Sequence, residues 1–133
     1  MADGKRVLDI NFTATTRLVE KLLPHMAPGG VAILIASNSG QTIARPLFDN
    51  ALKKVTKGGR SLILKLMLRK SRMTYPMSKR AVQLYAKAMS PAFGKVGVRI
   101  VSLSLGIIDA NMGRLEQKAG PETDKMIAVT LLG

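Results

Sequence analysis

The chain has 133 residues, 47% of them hydrophobic, which suits one modest domain near the small end of the usual range. With no cysteine, one histidine (His25) and 8 acidic residues, disulfides, thiolate catalysis and zinc–thiolate sites are excluded, and a protein-built metal site is not expected. The 21 basic residues give a net charge of +13. Ten of them fall between Ala51 and Arg80 with no acid among them, a stripe that suits a phosphate backbone, an anionic surface, the phosphates of a cofactor, or plain solvation.

The opening MADGKRVLDIN has no apolar stretch before a cleavage site, so no secretion signal is expected. No apolar run reaches the roughly 18 residues of a membrane span, and a cytoplasmic protein is the expectation. From Asp9 to Met26, Ile10, Leu18, Val19, Leu22 and Leu23 recur at helical spacing, and Pro28, Gly29 and Gly30 close the segment. This predicts an amphipathic helix with those residues as its apolar face. His25 reads as an ordinary histidine near a helix end.

Val31–Ala36 is apolar without alternation and rich in β-branched residues, the pattern of a parallel strand covered on both faces. Ser37-Asn38-Ser39-Gly40 ends it in turn chemistry. The stretch 41–72 reads as a basic inserted loop, within which 61–68 fits a strand or a short amphipathic helix equally. Met73–Ala92 predicts a helix with Met77, Ala81, Leu84, Tyr85 and Ala88 on its apolar face, so Tyr85 reads as core. Gly97–Leu105 predicts a second central strand, and Gly106 begins a loop. The order is that of a βα layered fold, in which ligands sit beyond the carboxyl ends of the strands.

Three features fall at that end. Tyr75 and Lys79, four apart, share one helix face about one turn from each other. An ammonium there favours the phenolate and makes a tyrosine usable as a general acid or base. Ser37 closes the first strand and Gly106 follows the second. Each has a plainer reading: Tyr75 as a half-buried packing residue, Lys79 as a solvated cation, Ser37 as a cap, Gly106 as a backbone hinge.

The ordered set LDINFTA, IASNSG, Tyr75-xxx-Lys79 and SLGIIDANMG resembles the short-chain dehydrogenase/reductase family, in the extended-loop form of actinobacterial-type members. The resemblance spans almost the whole chain and implies a partial Rossmann-like, doubly wound parallel sheet over 1–133. It implies an NAD(P)-dependent oxidoreductase acting on a small alcohol or carbonyl, with NAD or NADP as cofactor and a homo-oligomer in the complete enzyme. Ser37, Tyr75, Lys79 and Asn11 take the catalytic positions: Ser37 bonds the substrate oxygen, Tyr75 passes the proton, Lys79 supports Tyr75 and binds the nicotinamide ribose, and Asn11 holds a relay water. Tyr75 and Lys79, with Gly106 and Ile108, would meet the cofactor.

The sequence also departs from the family. The dinucleotide-binding half with TGxxxGxG is absent, as are the terminal strand and helix after Leu132. Leu105 stands where proline is usual and Ala110 where threonine often touches the cofactor. The interval from Ser37 to Tyr75 is longer and more basic than is ordinary. The expectation is therefore the catalytic half of such an enzyme, with little activity by itself. The other reading is a non-catalytic basic protein that completes its sheet with a partner chain or binds a polyanion. Nucleic acid is not expected, because Phe12, Phe48 and Phe93 are scattered and offer no stacking platform.

Overall fold

The computed structural model describes residues 4–56 and 71–106. The first helical run comprises Gly4–Leu8 (α1), a π-helical stretch at Asp9–Ala14, Thr15–Leu22 (α2) and a 3-10 turn at Leu23–His25. Val31–Ser37 (β1) follows, then a single turn at Ser39–Thr42 (α3), Pro46–Thr56 (α4), Ser71–Gly94 (α5) and Arg99–Leu105 (β2). Among the described residues this is a small α/β unit with a two-stranded parallel sheet.

The strands are paired in register from Val31↔Arg99 to Ser37↔Leu105. Their entry is fixed by Gly29 N donating to Gly97 O at 2.7 Å and Arg99 N donating to Gly30 O at 2.9 Å. Gly97 has φ +72°, and a Cβ there would also lie 3.2 Å from the Pro28 ring, so both backbone and space favour glycine.

Ala32, Leu34, Ala36 and Ile100 bury one face of the sheet in a core with Met77, Ala81, Val82, Tyr85 and Phe93 of α5 and Val98 at the foot of β2. Among the described residues nothing covers the opposite face: Val31, Ile33, Ile35, Val101 and Leu103 are all exposed, Ile33 by 53%. The continuous apolar run is thus covered on one face among the described residues, where cover on both is the expectation.

The first helix is a second difference. Phe12, Thr16 and Val19 are buried, while Ile10, Leu18 and Leu22 of the expected apolar face are exposed. A π turn takes an extra residue into one turn, so residues on its two sides no longer share the face that regular 3.6-residue spacing assigns them. Thr16 Oγ1 donates to Thr13 O at 3.1 Å across this irregularity.

Helix α5 matches its predicted span closely and carries Pro76 and Pro91 within it. Tyr85 is core as expected. It meets Phe12 edge-on, with ring centroids 6.1 Å apart at 82°, and its Oη donates to Glu20 Oε1 at 2.7 Å. Burial, reinforced by that carboxylate, pushes the Tyr85 hydroxyl well above the ordinary phenol range. Part of 41–72 is helical: the end of α3 and the whole of α4 lie there, and Ala51 and Leu52 are buried. The segment 61–68 lies outside the described residues, and no helix among those described is long and apolar enough to cross a membrane.

Candidate active site

The turn after β1 is pinned directly onto α5. A Cβ on Gly40 would stand 2.9 Å from Arg80 N and 3.1 Å from Lys79 C, so only a glycine lets α3 touch the α5 backbone at that level. Gln83 completes the join, its Nε2 donating to Ser37 O at 3.1 Å and to Ser104 Oγ at 2.9 Å. One side chain of α5 thus ties the carboxyl ends of both strands together. Arg80 holds α4 in turn: Nε and one terminal nitrogen meet Asp49 Oδ1 and Oδ2 at 2.9 and 2.6 Å, while NH1 donates to Gln83 Oε1 at 3.0 Å. The hydrogen bond from Arg80 holds the Asp49 carboxyl below the ordinary carboxylate range.

On this frame Tyr75 and Lys79 sit one turn apart on α5, with Lys79 Nζ 5.7 Å from the Tyr75 ring centroid. Lys79 Nζ also donates to Ile35 O at 3.1 Å. An ammonium has three hydrogens, and the Ile35 carbonyl takes one. Burial lowers the Lys79 amine from its ordinary value, because removing water disfavours the charged form.

Ser37 is the last residue of β1. Its Oγ accepts from Ser39 N at 3.2 Å and from Ser39 Oγ at 3.0 Å. With both lone pairs engaged, its own hydrogen is the part of the hydroxyl available to a ligand oxygen.

Asn11 lies on the π stretch, at a position where such irregularities often carry function. Its Nδ2 donates to Ser78 Oγ at 3.0 Å, and Ser78 Oγ donates to Tyr75 O at 2.7 Å. Asn11 therefore reaches the Tyr75 backbone through a fully buried serine. Asn11 and Lys79 also line one open groove of about 630 Å³ beside β1.

Gly106 follows β2 directly and stands over the turn after β1, where a Cβ would lie 3.4 Å from Asn38 Nδ2. Ile108 lies outside the described residues. Of the six positions singled out in the sequence, Ser37 and Gly106 stand at the carboxyl ends of β1 and β2, Lys79 reaches Ile35 O near the end of β1, and Asn11 joins Tyr75 through Ser78. No hydrogen bond joins Ser37 or Gly106 to Tyr75 among the described residues.

Ser78, Gln83 and Gly40 were missed as site residues. Ser78 and Gln83 look like ordinary polar positions of a helix, and only the partners brought from β1, β2 and Asn11 give them a role. Gly40 did carry a signal, since a glycine just past a strand end marks a close backbone approach.

Comparisons with protein-family models, with curated proteins and with solved structures find no match for the chain.

Proposed function

We propose that the chain is the catalytic half of an NAD(P)-dependent oxidoreductase of the short-chain dehydrogenase kind, built on a partial Rossmann-like sheet and acting on a small alcohol or carbonyl. The observation that carries this reading is the Tyr75–Lys79 pair on α5, with Lys79 bonded to Ile35 O near the carboxyl end of β1, the strand that Ser37 ends. Ligands of open parallel sheets sit at that end.

Tyr75 serves as the proton donor or acceptor for the substrate oxygen, and Lys79 supports its ionised form. The Ser37 hydroxyl hydrogen bonds the same oxygen and polarises it. Asn11 fixes the backbone at Tyr75 through Ser78, in addition to any water it holds.

The Lys79 ammonium, with two hydrogens beyond the Ile35 contact, suits the ribose hydroxyls at the nicotinamide end of a dinucleotide. A bound nicotinamide would supply or accept the hydride. Among the described residues no glycine-rich turn leads from a strand into a helix as a diphosphate cradle, so affinity and turnover by the chain alone are expected to be low. A homo-oligomer for the complete enzyme rests on the same resemblance.

The test is titration of the purified 133-residue chain with NADH and NADPH, followed by nicotinamide fluorescence, with circular dichroism confirming the fold. Weak saturable binding that Lys79→Met abolishes is the expected result. A folded chain that binds neither nucleotide contradicts the proposal.

A further inference from the structure

On β2 the face that buries Ile100 continues through Ser102 and Ser104, because alternate residues of a strand share a face. Polar residues at core-facing positions call for a polar partner or a function. Ser104 has part of such a partner: its Oγ accepts from Gln83 Nε2 at 2.9 Å and keeps its own hydrogen to donate. Both serines are half-buried and line a groove of about 900 Å³ between β2, α4 and α5. That volume suits a small molecule. Arg80, Gln83, Leu84 and Lys87 recur at helical spacing and form the α5 wall, while Asp49 and Lys53, one turn apart, form the α4 wall.

The charge of the lining itself selects the ligand. Lys53, Arg80 and Lys87 stand against a single carboxylate, Asp49, whose two oxygens both meet Arg80. Three cations and one carboxylate leave the groove two charges positive, with one ammonium on each helix. No aromatic ring lines it among the described residues, which removes the stacking that a nucleobase uses. An anion with several oxygens matches the ammonium groups, and neutral hydroxyls match the serines and the Gln41 amide. We propose that this groove binds a small hydroxyl-bearing phosphate ester, its phosphoryl group on Lys53 and Lys87 and its hydroxyls against Ser102 and Ser104. The groove shares no lining residue with that of Asn11 and Lys79, and α4 belongs to the stretch by which the chain departs from the dehydrogenase pattern. The inference therefore stands whether or not the chain binds a nucleotide.

The test is titration of the full chain with ribose 5-phosphate, ribose and inorganic phosphate in about 150 mM chloride, which screens diffuse charge attraction. Amide NMR is the readout, and circular dichroism monitors the fold. Ribose 5-phosphate is expected to bind saturably and to shift the Lys53, Lys87, Ser102 and Ser104 amides. Inorganic phosphate is expected to shift the lysine amides at about tenfold lower affinity, and ribose to shift none. Lys53→Gln and Lys87→Gln, both at exposed positions, are each expected to weaken the ester about tenfold. Lys21→Gln removes the same charge from α2 and is expected to leave binding unchanged. Ser102→Ala is expected to weaken the ester and not inorganic phosphate. Equal weakening by Lys21→Gln, equal affinity for inorganic phosphate, shifts centred on other lysines, or no binding of the ester would each overturn the proposal.

Discussion

Lys79 is asked to do two things, to hold the Ile35 carbonyl and to stand over the Tyr75 ring. Burial lowers its affinity for the proton, so the folded protein holds that proton less tightly than the unfolded chain does. The sign follows. Stability should rise with pH between the lowered value in the fold and the ordinary value near 10.5, above which the contribution is complete. Nζ chemical shifts recorded through a pH series should show Lys79 titrating below the ordinary lysine value near 10.5. Ser78 offers a second measurement. It accepts from Asn11 and donates to the Tyr75 carbonyl from a fully buried position. Ser78→Ala should lower stability by about 1–3 kcal/mol in urea denaturation, because it leaves the Asn11 amide without its acceptor. Adding Asn11→Ala should cost less than the sum of the two single changes, since both remove one shared bond.

At the scale of elements, α5 organises the molecule by three contacts: Gly40 against its backbone, Gln83 across both strand ends, and Arg80 to Asp49 of α4. Gly40→Ala should cost about 1–3 kcal/mol, read as a lowered denaturation midpoint, because the added methyl meets backbone atoms that cannot rotate away. The Asp49 carboxyl is held below its ordinary value near 3.8, so its ion pair stabilises the fold fully above that value. The contribution is lost as pH falls through the lowered folded value. Asp49→Asn should therefore flatten the acid limb of the stability–pH profile, measured by thermal melts below about pH 5.

How legible these elements were depends on local pattern. Both strands and α5 were readable, because long apolar runs bounded by glycine and a 3.6-residue stripe through Met77, Ala81 and Leu84 are strong signals. The buried face of the first helix was not, since a π turn leaves no mark in spacing rules built on regular helices. Helix α4 carried Pro46 at its first position and Phe48, Ala51 and Leu52 at helical spacing. The lysines around it drew the reading toward a loop. Within the site, Tyr75 and Lys79 were legible because a helix makes their sequence spacing a spatial one, whereas Ser78 and Gln83 depend on contacts between elements distant in the chain.

For the molecule as a whole, the sheet is covered on one face by α5, while the other shows a row of β-branched and leucine side chains. Parallel sheets are ordinarily covered on both faces, whereas among the described residues this one is covered on one. The central claim is that Tyr75, Lys79 and Ser37 form one nicotinamide-facing site. Its most direct test is an amide and side-chain NMR titration of the chain with reduced nicotinamide mononucleotide, which asks nothing of a diphosphate cradle. The account predicts saturable shifts confined to Ser37–Gly40, Tyr75–Lys79 and Leu105–Gly106, and their loss in Lys79→Met. Shifts absent from those residues, or centred elsewhere on the molecule, would contradict it.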